Sequence, residues 1–334
     1  MEKILAAIEG FKNLKGIVVG DLMLDVYSFG TVERISPEAP VPIVRVERDE
    51  FRVGGAANVA SNLRALGAEV MVAGLVGEDF EGEMLIDLME SKGIRVEMVG
   101  VVKGKRTIVK NRIIARGQQL LRIDWEDLKE RGGKIRKKIL ENVIIRSQNA
   151  DFIIIEDYNK GFLDGFMYRT IIASSSAPVF IDPKFEHYSS MKNAFLVKPN
   201  FEEFRKATGI AKFRGNFGRS VETFRKKLNI KNLVVTKGEE GMYISNGDAI
   251  NHIPSLRRKV FDVTGAGDMV ISLLALGMCS GLSLFEASIL ATIGAGIEIT
   301  KLGAQPVTKE ELIMEVRNHW DRLLEGVVSL KEQG

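Results

Sequence analysis

A glycine-rich turn that ends in an aspartate is the feature of this sequence best suited to chemistry. Residues 262–268 read DVTGAGD, and the apolar segment that follows has the spacing of a buried helix. The unpaired N–H groups at a helix N-terminus lie at the positive end of the helix dipole and suit a phosphate or another developing anion. We therefore expect the N–H groups of Gly265, Ala266 and Gly267 to stabilise such an anion.

The acidic residue that closes this turn, Asp268, does not suit anion binding, because its negative charge would repel a phosphate. A carboxylate at this position is instead suited to accepting the proton of an attacking hydroxyl group. The combination predicts phosphoryl transfer to an alcohol, with Asp268 as the general base. The structural alternative is that Asp268 only caps a glycine-rich helix start.

A second glycine-rich segment supplies candidates for binding the alcohol. Residues 54–62 read GGAANVASN. Gly54 and Gly55 permit a ligand to approach the backbone closely, and Asn58 offers both a hydrogen-bond donor and an acceptor to sugar hydroxyls. A helix of small residues packed against a sheet explains the same segment equally well.

Polar residues that follow apolar, β-branched runs supply further candidates. Asp21 follows GIVVG, and Asp157 and Lys160 follow DFIIIE as an opposite-charge pair. Ligands of open α/β sheets bind at the carboxyl ends of the strands, so we expect these three residues on the sugar side of the site. A surface turn is the alternative for Asp157 and Lys160.

Two segments are candidates for binding a nucleotide and its metal ion. In KPNFEEF, Asn200 and Glu203 either form a capping box at a helix start or, through Glu203, hold Mg²⁺ by way of water molecules. In TKGEEGM, the turn formed by Thr236, Lys237 and Gly238 is available to a nucleotide phosphate or ribose. The pattern GxxxxGK[ST] does not occur, and no GxGxxG follows the first strand, so neither a P-loop nor a dinucleotide fold is expected.

The elements that must position these residues alternate along the chain. Short apolar runs typical of buried strands occur at 16–21, 69–77, 151–158, 177–184, 194–200 and 232–241. Segments with helical apolar spacing occur at 56–66, 80–92, 138–148, 164–174, 201–208 and 220–228. This alternation predicts an α/β fold with a central, mostly parallel sheet and helices on both faces.

Two stretches interrupt the alternation. Residues 26–53 and 95–123 have period-two patterns, prolines and glycines but little helical spacing, which predicts antiparallel strands outside the main sheet. We interpret them as a small β lid that closes over the site and excludes water. An exposed face of such a lid is also suited to pairing with a second copy of the chain.

The composition excludes several classes of function. The 334 residues include 47 basic and 44 acidic residues, for a net charge of +3, and the charges are interspersed. No electrostatic footprint for nucleic acid or for a membrane surface is present. The first residues, MEKILAAIEGFKNLKG, carry acids and no cleavage site for a secretory signal, so we expect a soluble, cytoplasmic protein.

Along nearly its whole length, the chain resembles the ribokinase-like, PfkB-type family of carbohydrate kinases. The paired segments GGAANVASNLRALG at 54–67 and DVTGAGDMV at 262–270 are together specific to that family. Within the family, the chain most resembles the D-glycero-β-D-manno-heptose 7-phosphate kinases, whether separate enzymes or halves of bifunctional ones. The segment ISPEAPVP within 20–44 discriminates this group, and GQQLLRID, EDYNKG, IDPK, KPNFEEF and TKGEEGM also support it.

The resemblance implies one ribokinase-like domain over 1–334, with a β lid that often mediates a homodimer. It implies ATP, Mg²⁺ and transfer of the γ-phosphoryl group to the C1 hydroxyl of D-glycero-D-manno-heptose 7-phosphate. The product would be the 1,7-bisphosphate, a precursor of ADP-heptose. No sequence after residue 310 resembles a nucleotidyltransferase, so we expect a kinase only.

The resemblance to this family leaves two residue assignments undecided. The distal phosphate of the sugar would be recognised by a basic residue, and the candidates are Lys160, Lys184, Arg112 and Arg122. Asp262 is assigned to shaping the glycine turn, and a monovalent cation near it, as in some relatives, is left open.

Three alternatives remain. A kinase of the same family that acts on another sugar, sugar phosphate or nucleoside would keep the mechanism. A non-catalytic nucleotide or sugar sensor would keep the fold, although the intact Asp268 and glycine turn argue against it. An oxidoreductase on a dinucleotide fold is disfavoured by the missing glycine fingerprint.

Overall fold

The computed structural model describes residues 1–127, 132–209 and 217–330. Over these residues the strands are β1 Lys15–Gly20, β2 Leu22–Ile35, β3 Pro42–Gly55, β4 Glu69–Gly77, β5 Arg95–Val102, β6 Ile108–Ala115, β7 Gln118–Trp125, β8 Phe152–Glu156, β9 Val179–Asp182, β10 Leu196–Val197, β11 Asn232–Thr236, β12 Met242–Ser245, β13 Ile250–Ile253 and β14 Val328–Ser329. The helices are α1 Glu2–Gly10, α2 Ala56–Ala65, α3 Phe80–Ser91, α4 Gly133–Ser147, α5 Gly165–Ser174, α6 Phe201–Thr208, α7 Phe217–Leu228, α8 Ala266–Cys279, α9 Leu284–Glu298 and α10 Lys309–Gly326.

A ten-stranded sheet forms the centre of the fold, in the order β14-β13-β12-β11-β10-β9-β8-β1-β4-β5. The seven strands from β11 to β5 run parallel, and β12, β13 and β14 extend the sheet in antiparallel fashion. The prediction of a central, mostly parallel sheet is therefore confirmed. The predicted strands at 69–77 and 151–158 contain β4 and β8, and the predicted strand at 16–21 overlaps β1, which begins one residue earlier.

Helices cover both faces of this sheet, because successive apolar side chains of a buried strand point to opposite sides. In β1, Val18 packs into one core cluster with helices α2, α8 and α9, whereas Ile17 and Val19 pack into a second cluster with α4, α5 and α7. The strand β8 is buried along its whole length. None of the helices within the described ranges combines the length and the apolar character that a bilayer crossing requires.

A separate four-stranded sheet, in the order β3-β2-β6-β7, stands beside the large one. The expected lid segment 95–123 is therefore only partly correct, because Arg95–Val102 pairs in parallel with β4 as the edge strand of the large sheet. The long strands β2 and β3 extend slightly beyond the expected 26–53.

The two faces of the four-stranded sheet differ in character. The register places Asp25, Lys110 and Asp124 in one row across β2, β6 and β7, with Arg112 two residues further along the same face. We call this the inner face. The opposite face, called the outer face, carries the exposed apolar side chains Phe51, Leu121 and Ile123.

Candidate active site

Asp268 lies in the first turn of α8, almost completely buried, and both of its carboxylate oxygens accept hydrogen bonds from side chains. Asn58 on α2 donates from Nδ2 to Oδ2 at 2.7 Å, and the Tyr158 hydroxyl donates to Oδ1 at 3.1 Å. Burial raises the pKa of Asp268 above its usual value, although the two hydrogen bonds oppose this rise. The carboxylate is thus held in one orientation by groups from two other elements.

Tyr158 follows β8 and is itself held at both ends. Burial and the nearby Asp268 carboxylate raise the pKa of its hydroxyl well above the usual value, so the hydroxyl remains a donor. Its backbone N–H donates to Asp21 Oδ2 at 3.0 Å. The ammonium groups of Lys110 and Lys184 each lie 5.2 Å from the centre of its ring.

The glycine turn lies at the start of α8, but one of the three N–H groups expected to bind an anion, that of Ala266, is engaged within the protein. Gly265 adopts φ +90°, and a Cβ there would lie 2.5 Å from Glu298 Oε1, so only glycine fits. The N–H of Ala266 already donates to the Val263 carbonyl at 3.3 Å. Within the described ranges, the N–H groups of Gly265 and Gly267 have no protein acceptor, which leaves them available to an anion.

Asp262 fixes the chain on either side of this turn. Its Oδ1 accepts hydrogen bonds from the N–H and hydroxyl of Thr264 at 2.9 and 2.7 Å, and its Oδ2 accepts from the N–H of Gly303 at 3.0 Å. Beneath the turn, Glu298 is fully buried, and neither carboxylate oxygen has a hydrogen-bond partner in the described part of the chain. Burial and the charge of Asp268 raise the pKa of Glu298 well above its usual value.

Three buried carboxylates meet at the carboxyl ends of the central strands. Glu156, Asp182 and Asp268 each offer an oxygen within 4.8 Å of the others. Lys198 compensates part of this charge, with its ammonium group 2.7 Å from Asp182 Oδ2. Burial raises the pKa of Glu156 well above its usual value and that of Asp182 to about 6, and neighbouring carboxylates add to both rises.

This cluster has the donor set of a hard divalent cation, since carboxylate oxygens are the preferred ligands of Mg²⁺. Glu156 Oε2 is buried and has no hydrogen-bond partner among the described residues. The predicted metal residue, Glu203, is engaged at both oxygens, by the Lys184 ammonium at 2.6 Å and by the N–H of Asn200 at 2.9 Å. Glu156 therefore offers a direct ligand to a metal ion, whereas Glu203 was expected to act only through water molecules.

On the predicted sugar side, Asp21 organises the loop after β8. It accepts hydrogen bonds from the N–H groups of Tyr158, Lys160 and Phe162 at 3.0 to 3.3 Å. Burial and the neighbouring Asp157 raise the pKa of Asp21 to about 6.

The expected pair of Asp157 and Lys160 does not form. Asp157 accepts from the Tyr168 hydroxyl at 2.8 Å, whereas Lys160 pairs with Glu126 at 2.7 Å.

The paired glycines lie where β3 passes into α2. Gly55 adopts φ +60°, and a Cβ there would lie 2.4 Å from the carbonyl of Asp21. A Cβ at Gly54 would lie 2.7 Å from Asp25 Oδ2. Gly55 thus permits close contact between two backbone segments, and Gly54 leaves room for the Asp25 side chain. Asn58, three residues further along the chain, reaches Asp268 in the first turn of α8.

Each of the four basic residues predicted for a distal phosphate is already paired with a carboxylate. Arg112 contacts Asp25 at 2.7 Å in a buried pair, and Arg122 contacts Asp124 through two nitrogens at 2.7 and 3.0 Å. Lys160 pairs with Glu126 and Lys184 pairs with Glu203, as described above.

The predicted nucleotide residues lie together at the ends of β10 and β11. Asn200 and Thr236 are neighbours across the sheet, and Asn200 and Glu203 form the capping box of α6. Lys237 contacts Glu240 at 2.6 Å and lies 5.0 Å from the Phe201 ring centre. Gly238 has φ +56°, and in the part of the chain that the structure describes a Cβ there would have no neighbour within 4 Å, as a turn exposed to a ligand requires.

The sequence did not single out Tyr158, Glu156, Lys198 or Glu298 as site residues. Tyr158 lies in the segment EDYNKG, between two residues that were considered. Its contact with Asp268 spans 110 positions of the chain, so no local spacing could have indicated it.

Known proteins are similar to this chain over about 90% of its length. Residues 14–311 match the family described as pfkB family carbohydrate kinase. Bifunctional protein HldE of Trichlorobacter lovleyi is 40% identical over 310 residues, which are 91% of this chain and 63% of the relative. Bifunctional protein HldE of Nitratiruptor sp. is 41% identical over 300 residues, which are 89% of this chain and 63% of the relative. The chain spans about 63% of the length of these curated relatives.

Solved structures share the fold. Phosphofructokinase-2 from Escherichia coli, in complex with potassium, has a TM-score of 0.75 at 16% identity and covers 91% of this chain and 98% of its own. Arabidopsis thaliana ribokinase, complexed with ribose and ATP, has a TM-score of 0.71 at 18% identity, with coverages of 91% and 99%. The fold is ribokinase-like, and the chain belongs to the pfkB family of carbohydrate kinases, phosphotransferases that act on a sugar hydroxyl.

Proposed function

We propose that this chain transfers the γ-phosphoryl group of ATP to the C1 hydroxyl of D-glycero-D-manno-heptose 7-phosphate. The product is the 1,7-bisphosphate, a precursor of ADP-heptose. The observation that carries the reaction type is the Asp268 carboxylate, held by Asn58 and Tyr158 beside a turn with free N–H groups. The segment ISPEAPVP and the similarity to proteins named HldE support the choice of sugar.

In this mechanism Asp268 accepts the proton of the C1 hydroxyl as that oxygen attacks the γ-phosphorus. The bond from the γ-phosphorus to the bridging oxygen breaks in the same step, and ADP leaves. The N–H groups of Gly265 and Gly267 donate to the transferred group, where negative charge accumulates in the transition state. The Lys198 ammonium lies below them, 3.5 Å from the position of a Cβ on Gly267, and adds positive charge there. Most of the rate then comes from positioning and electrostatics.

Glu156 and Asp182 are the residues that would hold Mg²⁺, with Glu203 behind Lys184 as a more distant acid. When bound, the ion neutralises charge on the nucleotide phosphates. Asn200, Thr236, Lys237 and Gly238 form the nucleotide side of the cleft. Asp262 keeps the assigned role of shaping the glycine turn, and its hydrogen bonds on both sides of the turn support this.

The sugar lies between the large sheet and the inner face of the four-stranded sheet, which acts as the lid in this proposal. Asn58 and the backbone at Gly54 and Gly55 line the start of α2 near Asp268. Asp21 and Asp157 accept hydrogen bonds from the loop that carries Tyr158, so they fix the position of Tyr158 in the site. The chain acts as a homodimer in which the outer faces of the two lids pair.

The test is ATP consumption by purified protein with Mg²⁺ and a panel of acceptors. The panel contains D-glycero-D-manno-heptose 7-phosphate, fructose 6-phosphate, ribose, fructose and adenosine, and Asp268→Asn serves as the control variant. We expect the heptose phosphate to be the best substrate. We expect Asp268→Asn to lower kcat by about 10² to 10⁴-fold with folding intact, which is the usual contribution of a general base.

The possible results separate the parts of the proposal. If an unphosphorylated sugar or a nucleoside is preferred, the reaction stands and the choice of substrate is wrong. If Asp268→Asn keeps its activity, the assigned base is wrong. No turnover with any acceptor would contradict the proposed substrate class.

A further inference from the structure

Recognition of a sugar that already carries a phosphate needs a cation that is free to pair with it. The four basic residues considered from the sequence, Lys160, Lys184, Arg112 and Arg122, each contact a carboxylate at 2.6 to 2.7 Å. Drawing any of them to a ligand would leave a carboxylate behind without its partner, and such a separation is costly where the pair is buried.

Lys110, on β6, differs from these four residues. It lies on the inner face, in one row with Asp25 of β2 and Asp124 of β7. Both of those carboxylates are occupied, Asp25 by Arg112 and Asp124 by Arg122. Across the described ranges, no carboxylate lies within ion-pair distance of the Lys110 ammonium.

Lys110 lies near the residues that are proposed to act on the reacting hydroxyl of the sugar. Its ammonium group lies 5.2 Å from the centre of the Tyr158 ring. The hydroxyl of the same ring donates to Asp268. A ligand whose hydroxyl contacts Asp268 can therefore extend along Tyr158 and reach Lys110 with its far end.

The electrostatic surroundings of Lys110 favour an anionic partner. The side chain is half-buried, and burial together with the nearby charges of Lys160 and Arg122 lowers its pKa, against the opposing influence of Asp25. A cation in such a place costs free energy until an anion pairs with it. Lys160 and Arg122 would add longer-range attraction for the same anion.

We propose that Lys110 binds the phosphate that the acceptor sugar carries at the end opposite its reacting hydroxyl, and so selects phosphorylated over unphosphorylated sugars. This inference rests on the proposed function, since it assumes that the acceptor is a sugar phosphate. Lys110 is assigned as a binding residue and takes no part in the chemical step.

The experiment compares kcat/KM for D-glycero-D-manno-heptose 7-phosphate with kcat/KM for unphosphorylated D-glycero-D-manno-heptose. The proteins are the wild type, Lys110→Met, Lys110→Arg and the control Lys103→Met, which removes an exposed lysine from the turn after β5. We expect Lys110→Met to reduce the preference for the phosphorylated sugar by about 10- to 100-fold, as loss of a charge-assisted hydrogen bond implies. The change should appear mainly in KM.

Lys110→Arg keeps the charge and should keep most of the preference, and Lys103→Met should match the wild type. A second readout is competitive inhibition by inorganic phosphate against the sugar, which should weaken in Lys110→Met. If the wild type prefers the phosphorylated sugar and Lys110→Met keeps that preference, this inference is wrong while the proposed function stands. If the wild type prefers an unphosphorylated sugar, both are wrong.

Discussion

At the scale of single residues, the proposed reaction requires the buried Asp268 carboxylate to be ionised. Burial alone raises its pKa, and the hydrogen bonds from Asn58 and Tyr158 counter that rise because they stabilise the charged form. A general base must be unprotonated to act, so activity should be present above the pKa of Asp268 and lost as the pH falls through it. The acidic limb of kcat/KM then reports this pKa.

Tyr158→Phe directly tests the hydrogen bond from the Tyr158 hydroxyl to Asp268. The substitution removes one donor to the carboxylate, which raises the pKa of Asp268 further. We expect the acidic limb of the pH profile to move to higher pH and kcat at pH 8 to fall by about tenfold. Tyr243→Phe, in the antiparallel part of the large sheet, is the matched control. An unmoved acidic limb in Tyr158→Phe would mean that Asp268 is not the group that titrates.

The residues that sequence could identify are those whose chemistry is contained in a short segment. The turn 262–268 presents its glycines and its acid together, so its role could be predicted from spacing alone. Tyr158 and Lys198 reach the same place from separate strands, and their functional partners are distant in the chain. Lys110 stands out only because the carboxylates beside it, Asp25 and Asp124, are already paired with arginines. A sequence does not reveal such pairing.

At the scale of elements, α8 has a left-handed glycine just before its first residue and another beyond its C-terminal end. Gly265 has φ +90° and Gly281 has φ +86°. Their surroundings differ, because a Cβ at Gly265 would lie 2.5 Å from Glu298 and 3.0 Å from Ala304. Among the described residues, a Cβ at Gly281 would have no neighbour within 4 Å. The first glycine is required by backbone and packing, the second by backbone alone.

A pair of alanine substitutions separates these two requirements. Gly281→Ala should lower the free energy of unfolding by about 1–2 kcal/mol, the cost of a left-handed alanine, and should leave kcat intact. Gly265→Ala should cost about 1–3 kcal/mol more, because of the steric conflict, and should also displace the turn and strongly reduce kcat. Urea unfolding and steady-state kinetics on both variants measure the difference. Equal losses of stability with activity retained in both would contradict this account of the turn.

Most elements were predictable, because a fully buried strand has a continuous apolar run and an adjoining helix has helical spacing. The strands β1 and β8 are of this kind. The segment Arg95–Val102 was assigned to the lid because residues 95–123 have period-two patterns and little helical spacing. In the structure this strand is only partly buried, in an irregular pattern. That pattern arises because β5 is the edge strand of the large sheet, and partial burial looks the same at an edge as in a separate small sheet.

At the scale of the whole molecule, the four-stranded sheet has two faces of different character. Its inner face carries charged residues, of which Lys110 lies 5.2 Å from the centre of the Tyr158 ring. Its outer face exposes Phe51, Leu121 and Ile123, which are 40%, 56% and 36% exposed. An exposed apolar face on a small sheet is suited to covering by another surface. In the proposed homodimer, the same face of a second copy covers it.

Leu121→Lys tests this arrangement, and Ile145→Lys is the matched control, since Ile145 is 62% exposed on α4, away from the four-stranded sheet. In a symmetric dimer each substitution counts twice, because the same residue lies on both sides of the interface. Loss of about 1.5–3 kcal/mol per buried leucine should therefore weaken dimerisation by about 10² to 10⁴-fold. Light scattering after size-exclusion chromatography should give a dimer for the wild type and Ile145→Lys and a monomer for Leu121→Lys. A wild-type monomer at micromolar concentration, or a dimer that Leu121→Lys leaves intact, would show that the outer face does not pair with its copy.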